Sequence, residues 1–152
     1  MKILDRLKKR AIIPGLKSQS KEGVLEELAK PLAEISHIPV EDLVQVLLER
    51  EHLGSTGIGG GVAIPHGKVK SLRSLLIAFG RSEKGIDFEA IDGKPTHIFF
   101  LIITPEDSTG MHLEILAKIS KLLKDNTFKE ELMAASDREE IYEIIKRVDE
   151  EF

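Results

Sequence analysis

Residues 97–103, His-Ile-Phe-Phe-Leu-Ile-Ile, form an unbroken run of β-branched, aromatic and leucine side chains behind one polar residue. Seven residues are too few for a buried helix. A continuous apolar run of this length is what a strand needs when both of its faces are covered. Covering both faces takes helices above and below a sheet, and the flanking sequence supplies them. Ser20 can cap a helix whose apolar row is Val24, Leu25, Leu28, Leu32 and Ile35, with Pro31 predicting a kink or an early end. Pro39 suits the first turn of a second helix over 40–52, with Leu43, Val44, Leu47 and Leu48 facing inward. Beyond the apolar run, a helix over 110–123 is capped by Ser108 or Thr109. A shorter one near 128–135 is opened by a Thr127–Glu130 capping box, and a last one by Asp137 with Glu140.

Weaker strand signals lie at residues 74–79, ended by Gly80, and at 86–88, with a turn at Asp92-Gly93. Residues 1–18 read as an amphipathic turn and a brief apolar segment stopped by Pro14-Gly15. This order predicts a single-domain α/β sandwich over residues 1–152, with a mixed β-sheet flanked by helices on both faces.

Composition narrows the function. With no cysteine there is no disulfide, thiolate metal site or cysteine nucleophile. No apolar run reaches the roughly 18 residues that span a bilayer, and the charged start does not read as a signal peptide, so the expected location is cytoplasmic without membrane insertion. A net charge of −4 argues against nucleic acid as a partner. Between His66 and Lys84, however, Lys68, Lys70, Arg73, Arg81 and Lys84 face a single acid, Glu83. Such a basic neighbourhood suits an anionic group, although solvated surface lysines give the same pattern.

The unusual residues are concentrated at 55–68, Ser-Thr-Gly-Ile-Gly-Gly-Gly-Val-Ala-Ile-Pro-His-Gly-Lys, which holds five of the twelve glycines. Glycine loses the most backbone entropy on ordering, so the cluster needs a reason. It closes on His66, between Pro65, which stiffens the stem, and Gly67, which leaves one side of the ring open. His66 is the leading functional residue. His112 falls in the apolar row Ile115, Leu116, Ile119 and Leu123 at the start of a helix, where periodicity alone reads it as a core histidine bonded to a backbone carbonyl. Arg50 and Glu51 continue neighbouring rows of the second helix, and periodicity does not choose which points inward. An arginine just before the glycine segment is nevertheless a good fork for phosphate. His37, His52 and His97 sit at ordinary element ends.

Two nucleotide motifs fail. Val62 stands where a G-x-G-x-x-G loop needs its third glycine, and Gly61 to Lys68 has one residue too many for a P-loop. A zinc site from His52, His66 and His112 matches no standard spacing. Neither a metal nor another cofactor is expected.

Residues 55–68 resemble the signature of the enzyme IIA proteins of the bacterial phosphoenolpyruvate-dependent sugar phosphotransferase system, in the fructose–mannitol class that includes nitrogen-regulatory relatives. Arg50 stands at that family's spacing before the signature, Asp92-Gly93-Lys94-Pro95 matches a later turn, and His112-Leu113 opens the helix carrying the second histidine. The resemblance implies that His66 accepts a phosphoryl group from the phosphocarrier protein and passes it to a IIB component. Arg50 and His112 would flank it, and Ser55, Thr56, Gly57, Gly59 and Gly61 would support it. IIB domains of this class use a cysteine and IIC domains span the membrane, so a free-standing IIA is expected. Its acceptor is either a transport component, fructose being the expected sugar, or a regulatory target.

Overall fold

In a computed structural model that describes residues 1–151, the chain opens with a 3₁₀ turn (Ile3–Asp5), then β1 (Leu7–Ile13), α1 (Lys21–Ser36) and α2 (Val40–His52). Four strands follow, β2 (Gly57–Gly59), β3 (Val62–Ala63), β4 (His66–Val69) and β5 (Leu76–Ile86). The chain ends with β6 (Thr96–Pro105) and the helices α3 (Thr109–Leu122), α4 (Asn126–Ala134) and α5 (Arg138–Glu151). The sheet order is β1-β5-β6-β3-β2, with β4 also paired to β6. β1 runs parallel to β5, and β5 antiparallel to β6. β3 and β4 lie parallel to β6 one after the other, so the sheet is mixed.

The apolar run at 97–103 is the heart of this sheet. Residues 98–103 are buried on both faces. Side chains alternate across a strand, so parity tells which helix covers which face. Gly80, paired with Phe99, faces α1, because a Cβ there would stand 2.6 Å from Leu28 Cδ2. Thr104, of opposite parity, meets His112 of α3 at 2.7 Å. Helices α1 and α2 therefore cover one face and α3 the other. α5 joins α3 through the buried Asp149, which accepts from Ile3 N at 2.8 Å, Leu4 N at 3.0 Å and Lys118 Nζ of α3 at 2.7 Å. Among the described residues no helix is long and apolar enough to cross a membrane.

Several local expectations change. The segment read as a turn and an apolar stub is the strand β1; its Lys8, Lys9 and Arg10 are exposed at the sheet edge, where charge replaces alternation. β5 passes through Gly80 to Ile86, taking in residues 76–79 of the first short run and only Ile86 of the second; a shift of register between Arg81 and Ile86 makes room for Gly85 at φ 84°. α1 continues past Pro31 to Ser36. Asp125, not Thr127, caps α4, accepting from Thr127 N at 2.9 Å. Ser108 occupies the cap position of α3 without making a side-chain cap bond.

Candidate active site

β3, Ile64-Pro65 and β4 trace one edge line beside β6, and Pro65 sacrifices no ladder donor there. Its carbonyl accepts from Ile102 N at 2.9 Å. His66 pairs with Ile102, which turns its side chain to the α3 face. Gly67 turns the other way, onto α2, where a Cβ would come within 2.6 Å of Val46 Cγ1. Its absent side chain thus serves helix approach rather than opening the ring. Close approach at Val46 brings Arg50, one helical turn further on, within reach of the imidazole. Gly67→Ala is expected to cost about 1–3 kcal/mol by overpacking, read by thermal unfolding, with Val46→Ala recovering part of the loss.

Arg50 Nε donates to His66 Nε2 at 3.3 Å, and Arg50 NH1 donates to Gly54 O at 2.9 Å. The other ring nitrogen, Nδ1, lies 2.8 Å from Ile64 O. A carbonyl can only accept, so Nδ1 carries the hydrogen and Nε2 presents its lone pair. His112, 6 % exposed, packs against the ring in an edge arrangement, with centroids 5.3 Å apart and planes at 61°. Its Nδ1 is 2.7 Å from Thr104 Oγ1. The hydroxyl does what a backbone carbonyl was expected to do. Lys68 Nζ donates to Thr109 Oγ1 at 2.9 Å at the start of α3. An open depression of ≈ 390 Å³ lies over the imidazole, walled by Arg50, Ser55, Thr56, Ile58 and, from α3, Leu113 and Leu116.

The profile of the family described as "Phosphoenolpyruvate-dependent sugar phosphotransferase system, EIIA 2" matches residues 6–148. This chain belongs to that family. A nitrogen regulatory protein of Bradyrhizobium diazoefficiens is 41% identical over 145 residues, covering 95% of each chain. The fructose-specific EIIABC component of Bacillus subtilis is 37% identical over 98% of this chain, which spans 24% of that longer protein. The crystal structure of nitrogen regulatory protein IIA-Ntr from Neisseria meningitidis superposes with a TM-score of 0.88 at 36% identity, covering 93% of this chain and 97% of that one. EIIA modules of this system are phosphoryl relays, and the α/β architecture is theirs.

Within this EIIA chain the residues singled out by sequence separate into two groups. His66, His112, Arg50, Ser55 and Thr56 gather around or beside one depression. Gly57, Gly59 and Gly61 line no part of it. Gly59, Gly60 and Gly61, at φ 89°, 67° and 80°, make the β2–β3 turn, which Asp92 Oδ2 holds by accepting from Gly60 N at 3.0 Å. Gly57 packs against Ala90 with no room for a Cβ. The glycines therefore shape the hairpin that delivers β4, and do not wrap the imidazole. His37 takes the left-handed C-cap of α1, His52 ends α2 and His97 Nδ1 bonds Ser82 O. Thr104 escaped the sequence reading, although a lone hydroxyl within a buried apolar strand is a signal that something polar faces it.

Burial lowers the His66 pKa below its ordinary value; Arg50 adds to this, while the bond to Ile64 and the charge of Glu51 oppose it. Burial first, then the charges of His66 and Lys68, push His112 down to about 4. Both rings are neutral near pH 7. Because the folded state resists protonating His112 while the unfolded chain takes the proton at 6.5, stability falls as pH drops from 6.5 toward 4. The loss from this residue approaches roughly 3 kcal/mol. Chemical unfolding across that range should show the slope, and His112→Gln should flatten it.

Proposed function

We propose that this EIIA chain accepts a phosphoryl group on Nε2 of His66 from the phosphohistidine of the phosphocarrier protein and hands it to a downstream protein. The observation that carries the reading is the bond pattern of one ring: Nδ1–H is tied to Ile64 O and Nε2 is left with a lone pair beside a guanidinium. In the transfer, the Nε2–P bond forms as the carrier's N–P bond breaks, and the carrier's imidazole keeps the electron pair. Arg50 sits where it stabilises charge on the moving group, and His112 packs against the accepting ring. A neutral imidazole is nucleophilic, and its phosphoramidate remains reactive enough to pass the group on.

A shallow, open approach suits a protein donor. Leu113 is 60% exposed and Ile58 40% exposed at the rim, so an apolar collar surrounds the polar centre. No cofactor enters the step. His112→Ala is expected to slow transfer by about 10–10²-fold while leaving His66 modifiable. As pH falls, acceptance should decline at lower pH than an ordinary imidazole would dictate, since burial lowers the His66 pKa.

The downstream acceptor has two readings. A IIB component, of a fructose-type sugar system, is supported by the match to the EIIABC protein. A regulatory module, controlling other proteins through its phosphorylation state, is supported by the full-length match to a nitrogen regulatory protein. Incubation of the phosphorylated chain with purified IIB domains separates them. Rapid loss of label to a IIB cysteine supports transport, and retention of label with every IIB tried supports regulation.

A further inference from the structure

The sequence leaves open whether Arg50 or Glu51 turns inward, and the structure gives each a task. Arg50 reaches the imidazole, while Glu51 is buried on the other side of the same helix end. A buried carboxylate is costly unless each of its oxygens is engaged. Here Glu51 Oε1 lies 2.9 Å from Lys21 Nζ of α1 and accepts from Thr56 N at 3.1 Å, and Oε2 accepts from the Thr56 hydroxyl. Lys21 Nζ is itself held over the Phe88 ring, 4.9 Å from its centroid.

The bonds continue beyond Thr56. Its carbonyl accepts from Ile64 N at 3.0 Å, and the Ile64 carbonyl takes the Nδ1–H of His66 at 2.8 Å. Thr56 and Ile64 are both buried, so no solvent competes for these groups. An unbroken line thus runs from an ammonium in α1, through a carboxylate in α2, to the imidazole in β4. We infer that Glu51 is a positioning residue for phosphoryl acceptance: by clamping Thr56 it fixes the Ile64 carbonyl, and that carbonyl holds His66 in the Nδ1–H tautomer with Nε2 unprotonated beside Arg50. Glu51 touches no reacting atom; it acts through Thr56 and Ile64.

This inference rests on the reading of His66 Nε2 as the acceptor, and the experiment keeps the two apart. Ring ¹⁵N NMR of the unphosphorylated protein reports the His66 tautomer without any carrier. Phosphorylation kinetics with the carrier report kcat and KM. Glu51→Gln retains the volume but loses the pairing with Lys21. Thr56→Val removes the hydroxyl, and Thr56→Ser restores it. Wild type and Thr56→Ser should show the Nδ1–H form and equal rates within about twofold. Glu51→Gln and Thr56→Val should admit the Nε2–H form and lose about tenfold in kcat with KM for the carrier unchanged. If Glu51→Gln does not fold, Thr56→Val against Thr56→Ser decides the matter. Folded variants with an unshifted tautomer overturn the inference, even if their rates fall. Failure of the wild-type protein to form any phosphohistidine overturns the acceptor reading instead, and leaves the tautomer result to stand by itself.

Discussion

His66→Ala abolishes acceptance of phosphate from the phosphorylated carrier, a fall of roughly 10³-fold or more. The size follows from what is removed. The ring presents an unprotonated Nε2 beside the Arg50 guanidinium, while Nδ1 is committed to Ile64 O. His112 cannot substitute. It is 6 % exposed in the first turn of α3, with Nδ1 engaged by Thr104. The variant should fold, because His66 is only half-buried and its backbone pairing with Ile102 survives the change. Phosphohistidine formation measured by mass shift, beside a thermal melt, separates loss of chemistry from loss of fold.

Arg50→Ala gives the second largest effect, a slowing of about 10²–10³-fold with His66 still modifiable in the end. Arg50 Nε is 3.3 Å from Nε2, so its charge lies beside the bond that forms. Arg50→Lys should recover only part of the rate. A lysine keeps a point charge but loses the fork that bonds Nε2 and Gly54 O together. Single-turnover kinetics at saturating carrier check both variants. Equal loss in Arg50→Lys and Arg50→Ala would mean that fork geometry matters more than charge.

The sequence read most clearly where one force dominated. The run at 97–103, buried on both faces from Ile98 onward, reads as a central strand. The helices α1, α2, α3 and α5 carry apolar rows that survive averaging. It read poorly where tertiary contacts outweighed local preference. β1 carries three consecutive charges because it lies at the sheet edge. Gly80 looks like a strand end, yet it is a strand interior that admits Leu28 and Leu16. Gly67 looks like an open side of a ring, yet it is the contact that lets α2 settle on β4.

The site shows the same division. His66 was singled out by its local sequence, Arg50 and His112 chiefly by the family resemblance beyond the glycine segment, and the fold brings the three together. What supports them was not legible. Thr104 meets His112 only because β6 and α3 pack across a face. Glu51 joins Lys21, which lies 30 residues earlier in the sequence, only because α1 and α2 lie side by side. The backbone of Ile64 carries no signature in any sequence. The glycines misled for a related reason: their positive φ values build a hairpin turn, and residue type alone does not say whether a left-handed turn cradles a ligand or simply reverses the chain.

The decisive measurement is ³¹P–¹⁵N correlated NMR of the protein after incubation with phosphoenolpyruvate, enzyme I and the phosphocarrier protein. One phosphoryl group coupled to Nε2 of His66, with Nδ1 still protonated, is the predicted result. A phosphoryl group on Nδ1, on any other histidine, or on none would contradict it.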